Sequence, residues 1–142
     1  MKKLAILLCA VSTSVIAQDY SQIISDRQHA YEQIEEITES VEFMLDGEDS
    51  DWPELEVSGK QLVNHAQFLL TAFPEGSQEG SKAKAAVWSK PDKFNNLLQD
   101  LNTGLEEFYQ GAVAQDAARA EAGFEQATKT CKSCHRGYKN RR

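Results

Sequence analysis

The chain reads as all-α, an antiparallel up-down-up-down bundle of four helices. Three observations lead there. Apolar residues recur in alternating steps of three and four along four separate segments, the period of a helix with one buried face. Beyond residue 17 no stretch shows the two-residue alternation of a half-buried strand. Glycine, proline and acidic clusters interrupt the segments, and the connections are mostly short, which favours antiparallel neighbours.

The first helix is expected from about Tyr20 to Leu45, with Tyr20, Ile24, Arg27, Tyr31, Ile34, Thr38, Val41 and Leu45 along its seam. Gly47 and the acidic run that ends at Trp52-Pro53 break it. A second helix follows through Leu62, Ala66, Leu69, Leu70 and Phe73 and ends at Pro74; a long loop from Glu75 to Ser81 then leads towards Trp88. Pro91 and Asp92 open the third helix, since proline suits a first turn whose N–H has no partner within the helix. Phe94, Leu97, Leu98, Leu101, Leu105 and Phe108 share its face, and Gly111 marks its expected end. The fourth carries Ala117, Ala120, Phe124, Ala127, Cys131, Cys134 and Tyr138 in three-four steps. Its alanines leave room for close packing or for a cofactor.

Residues 1–17 read as a cleaved signal peptide: Lys2 and Lys3, a short apolar run from Leu4 to Val11, and small-residue cleavage at Val15-Ile16-Ala17. The run is too short to span a bilayer. Cys9 invites a lipoprotein reading, but Leu8 stands where a small residue is wanted. One domain, 18–142, remains. Without Lys2 and Lys3 it holds 13 basic and 22 acidic residues, a formal net of −9. Such a balance argues against nucleic acid and anionic membranes as partners.

The most informative stretch is Cys131-Lys132-Ser133-Cys134-His135. C-x-x-C-H is the attachment signature of one covalent haem c, with the histidine as iron ligand. On a helix, positions 131, 134 and 135 leave one face within a single turn. Export fits this reading, and it leaves no odd cysteine. A dithiol redox pair expects a βαβ context that is missing here. A zinc site needs four ligands, and His29 and His65 are far away in sequence.

The other face of the iron separates a gas binder from an electron carrier. With the first and fourth helices antiparallel, Cys131 to His135 lie level with about Asp26 to Ala30, give or take a turn. Met44, the only methionine beyond the leader, is then on the order of 20 Å away at ~1.5 Å per residue and reads as core. His29 falls on a solvated stripe and reads as a surface residue. His65 reads as structural. Tyr31, on the seam, reads as a bulky lid, because a phenol with a usual pKa near 10 is a costly ligand. Arg27 is a poor core residue but suits a haem carboxylate. From Lys129 onward six basic residues occur without an acid. They suit a helix C-terminus, and equally a positive rim that pairs with the haem's carboxylates or with an acidic redox partner. No nucleophile–base set or carboxylate pair emerges, so an enzyme is not expected.

Taken together these residues resemble the cytochrome c′ family, the class II c-type cytochromes. Arg27-Gln28 followed by Tyr31, the Phe73-Pro74-Glu75-Gly76-Ser77 turn, Val87 to Phe94, and Cys131 through Lys139 carry the resemblance. It implies a periplasmic four-helix bundle, usually a homodimer, with a five-coordinate high-spin haem that binds NO and CO and has His135 as its only protein ligand. It also implies that Arg27 and Gln28 contact the haem and that Tyr31 occupies the distal face. Lys139 stands where the family usually has arginine; it keeps the charge and loses the planar fork. Extra apolar positions at Ile23, Ala30, Ile37 and Met44 would suit a dimer. The competing reading is a dedicated electron carrier with six-coordinate haem.

Overall fold

A computed structural model of the protein describes residues 19–140. The expected leader with Cys9, the residue Gln18, and the last two arginines, Arg141 and Arg142, lie outside the described residues. Four long helices form the body: α1 (Ser21–Met44), α2 (Trp52–Leu69), α4 (Pro91–Ala114) and α5 (Ala117–Tyr138). A single turn, α3 (Ala86–Ser89), precedes α4.

The helix ends follow local chemistry. Trp52-Pro53, expected only to break α1, instead starts α2: Pro53 sits in its first turn and the Asp51 carboxylate accepts the Glu54 N–H at 3.4 Å. Asp116 caps α5 in the same way through the Arg119 N–H at 3.1 Å. The second helix ends at Leu69, short of the expected Pro74, so that residues 72–77 form an irregular turn. Gly111 does not end α4, which runs on to Ala114 and closes at Gln115 in the left-handed region, φ 52°.

Gly111 has another reason. A Cβ there would collide with the Ala120 backbone of α5, one on Gly123 would strike the Phe108 backbone, and one on Gly104 would come within 2.8 Å of the Ala127 nitrogen. The small residues of α4 and α5 therefore bring the two backbones together. Ala120 and Ala127 serve this seam. The opposite side of α5 differs: no Cα of α1 lies within 8 Å of α5, although α1 packs on α2 and α2 on α4. The 3₁₀ turn Gly47–Asp49 after α1 does approach α5. The bundle is tight between α4 and α5 and wide between α1 and α5.

Leu55, Leu62, Leu69, Leu105, Phe108 and Val41 fill the centre and are almost fully buried. Met44 packs against this core, as expected. The stripe expected to suit a dimer is mostly used internally: Ala30 is a core residue, while Ile23, Ile37 and Met44 are half-buried against it. Phe43, beside that stripe, is 89% exposed.

Candidate functional site

The wide side between α1 and α5 holds the residues singled out by sequence. Cys131 and Cys134 are one turn apart on α5, half-buried and free. Burial raises both thiols' pKa, Cys134 to about 11, with the neighbouring Cys131 adding to the effect. His135 follows and is exposed. Its imidazole is harder to protonate than usual, first through partial burial and then through the Lys139 ammonium, with Glu35 opposing.

Across the gap α1 presents Tyr31, half-buried. Burial raises its phenol pKa well above the ordinary range; Cys134 and Cys131 reinforce this and Arg27 opposes it. Tyr31 and the two cysteines therefore share one electrostatic environment, within a turn of the register expected for antiparallel helices. The phenol therefore ionises only at higher pH than a solvated tyrosine. Glu35, one turn further along α1, acts on both Cys131 and His135. Nothing in the sequence had drawn attention to it; its i+4 spacing from Tyr31 is the signal that was there to use.

Arg27 is only 2% exposed. Its Nη1 donates to the Ala72 carbonyl at 3.2 Å and to Ser77 Oγ at 2.8 Å, and Nη2 donates to the Ser77 carbonyl at 2.6 Å. The Ser77 hydroxyl in turn donates to the Pro74 carbonyl. The guanidinium lies 4.7 Å from the Phe73 ring centroid and 5.7 Å from that of Trp88. Gly76 makes the turn possible: its φ is +90°, and a Cβ there would meet the Tyr20 ring at 3.0 Å. Burial lowers the guanidinium pKa, although it remains charged in any accessible pH range. Among the described residues no carboxylate pairs with it, and one N–H on each of Nε and Nη2 is unused by these bonds.

A chain of aromatic rings runs from Tyr31 on α1 to Tyr138 on α5. Tyr31 lies 6.5 Å from Phe73, which stands 6.4 Å from Trp88 and 4.7 Å edge-on to Phe94; Phe94 continues at 5.2 Å to Tyr138. Trp88 donates to the Pro74 carbonyl at 2.9 Å. Two helix-spaced thiols, a histidine beside them, a chain of aromatic rings and a buried cation lacking an anion fit a flat apolar macrocycle with carboxylate arms. They therefore fit a haem c. Gln28 is half-buried beside Arg27, and Lys139 is exposed with its backbone bridged to Ala83. His29 is exposed, as expected, and faces the partly buried His65 of α2, whose proton affinity it lowers after burial. Neither belongs to the gap.

The cytochrome c′ family model matches residues 22–139. A cytochrome c′ from Rhodospirillum rubrum is 25% identical over 151 aligned positions, covering 98% of this chain and 99% of that protein. A cytochrome c-554 from Cereibacter sphaeroides is 28% identical over 94 residues, or 61% of each protein. The chain thus spans about three-fifths of the length of the first curated relatives it matches. Among solved structures, a cytochrome c′ from Rubrivivax gelatinosus superposes with a TM-score of 0.79 at 25% identity, over 87% of this chain and 98% of that one.

Proposed function

Because the chain belongs to the cytochrome c′ family of c-type haem proteins, we propose that it is a periplasmic haem c protein whose iron keeps one face open to NO and CO. Haem c supplies an iron that exchanges single electrons and takes diatomic ligands. The rest is the work of the polypeptide. Cys131 and Cys134 anchor the macrocycle from consecutive turns of α5. His135 offers a neutral imidazole nitrogen, favoured by the partial burial and the Lys139 charge that resist its protonation. Arg27, with its two spare N–H groups, receives a carboxylate arm, and Gln28 lies alongside. Tyr31 covers the opposite face.

One observation carries the reading. Tyr31 faces the cysteine pair as a half-buried phenol that resists ionisation, while His29, the histidine of α1 near that level, is exposed and interacts with His65 of α2 instead, and Met44 stands at the far end of the helix. Tyr31 therefore shields the site without filling it. The ferrous protein is expected to bind CO, with a high-spin five-coordinate spectrum before addition. The ferric protein should show no tyrosinate band up to pH 10, because burial raises the phenol pKa and ionisation moves to higher pH. Tyr31→Phe should leave coordination unchanged. A low-spin ferrous spectrum that ignores CO would sink this reading in favour of a six-coordinate electron carrier.

Export, with cleavage after Ala17, and a haem carrier or gas binder rather than an enzyme are part of the same proposal. So is a homodimer, with Phe43 as the apolar side chain that a second copy would cover. Sedimentation velocity at micromolar concentration should give a dimer, and Phe43→Glu should shift it to monomer.

A further inference from the structure

The two histidines outside the gap take no part in the haem reading, and the fold brings them together. α1 and α2 form an antiparallel hairpin whose closed end is fixed by the Asp51 N–H, which donates to the Met44 carbonyl at 3.3 Å. At the far end Arg27 of α1 reaches the Ala72 carbonyl just beyond α2. His29 lies fifteen residues before Met44 and His65 fourteen after Asp51, so the two are level to within about 1.5 Å along the hairpin. Each immediately precedes a buried alanine: Ala30 is 2% exposed and Ala66 1%. Successive residues of a helix are turned by about 100°. Because the two helices run oppositely, the position before an inward-facing residue falls on the same side of the seam on both. Alanines at such a contact let the axes approach to about 8–10 Å, a gap that two imidazoles leaning over one seam can bridge.

The chemistry of the pair suits a shared ion. His29 is exposed and His65 half-buried. Among the described residues neither imidazole has a hydrogen-bond or ion-pair partner. Burial, and then the neighbouring His29, make His65 harder to protonate than usual, which favours the neutral imidazole that binds metals. The surroundings favour a cation. Thirteen acidic residues fall between Asp19 and Glu56, against the single arginine Arg27, and the exposed Asp26 and Glu32 stand one turn either side of His29. The number of ligands selects the ion. Among the described residues no group of three or more histidine, cysteine or carboxylate ligands occurs, whereas zinc sites ordinarily use three or four protein ligands. Copper(II) is the divalent ion that nitrogen ligands hold most tightly, and it takes water in the remaining positions of a tetragonal set.

We propose that His29 and His65 form a copper(II) site on the solvent side of the α1–α2 seam, with two imidazole nitrogens from the protein and water in the other positions. The site is separate from the haem gap and does not depend on the haem reading.

The test titrates Cu²⁺ into the ferric holoprotein, in which haem occupies Cys131, Cys134 and His135 on the reading above. One Cu²⁺ should bind per chain, with an electron paramagnetic resonance signal split by two nitrogens and an unchanged haem absorption spectrum. Saturating Cu²⁺ should raise the urea midpoint, because the ion joins α1 to α2 in the folded chain only. His29→Asn, a change at an exposed position, should weaken binding at least about tenfold by removing one arm of the clamp, and should abolish the rise in midpoint. His65→Asn should do the same. Zn²⁺ should bind more weakly than Cu²⁺. An unchanged Cu²⁺ affinity in His29→Asn, or a signal split by a single nitrogen, overturns the proposal, since the ion then sits elsewhere on the chain. Tighter binding of Zn²⁺ than of Cu²⁺ overturns the assignment of the metal. A preparation that carries no haem sinks the haem reading and leaves this one open to the same measurement: with Cys131 and Cys134 alkylated beforehand, Cu²⁺ binding must still be lost in His29→Asn.

Discussion

Replacing both Cys131 and Cys134 by alanine is expected to abolish covalent haem attachment, the largest effect any substitution in this protein should have. The exported wild-type chain should show, by intact mass, one haem on a polypeptide beginning at Gln18. The double variant should show the bare polypeptide and give no haem-stained band after denaturation. Either single variant should retain a fraction of attached haem through one thioether. The same geometry carries a second consequence. In the folded chain without haem, burial raises Cys134 to about 11, so its thiolate fraction at pH 7 is on the order of one in ten thousand. Alkylation should then be slow below pH 9 and rise about tenfold per pH unit. A double variant that still carries haem through denaturation would overturn the assignment of both cysteines.

Arg27→Ala should produce the largest loss of stability. Arg27, Ala72 and Ser77 are all buried, the last two completely, so truncation strands three acceptors with no access to water. It also removes a cation held against Phe73 and Trp88. Leaving a buried acceptor without its donor typically costs about 1–3 kcal/mol, so with three stranded the loss should reach about 3 kcal/mol or more. The urea midpoint should fall accordingly, and hydrogen exchange in residues 72–77 should accelerate. Arg27→Lys should recover only part, because an ammonium cannot bridge the Ala72 carbonyl and both Ser77 oxygens as a planar fork does. A loss below 1 kcal/mol for Arg27→Ala would show that the turn is held by other contacts.

Much of this was legible in the sequence, and the gaps have physical causes. The four-three period identified most inward positions, including Arg27, Ile34 and Val41 on α1, whereas Leu70, expected on the second helix, lies past its end and is exposed. Periodicity reports which face turns inward but not which distant residue meets it. Arg27 was therefore recognisable as an anomalous core residue, while its partners fifty positions on were not. Gly111 read as a stop because glycine disfavours helix interiors; the close approach of α5 that requires it is a tertiary fact. The Ala83–Lys139 bridge is made by backbone groups and leaves no side-chain pattern to detect. The C-x-x-C-H segment was readable because its chemistry is local, needing only one helical turn.

The glycine seam between α4 and α5 has a consequence for the order of folding. The two helices are joined by Gln115 and Asp116 alone, so their contacts close a very short loop and incur little entropy loss. Such a hairpin is expected to form before α1 docks, since Arg27 must reach residues 72–77, and φ-values near zero at Ile34 and Val41 would check that order. Until α1 docks, both thiols stand on the bare side of the hairpin, free of the burial that later suppresses their ionisation. Slowing the docking of α1, as Arg27→Ala should do, is then expected to lengthen the time in which the thiols are open to haem attachment.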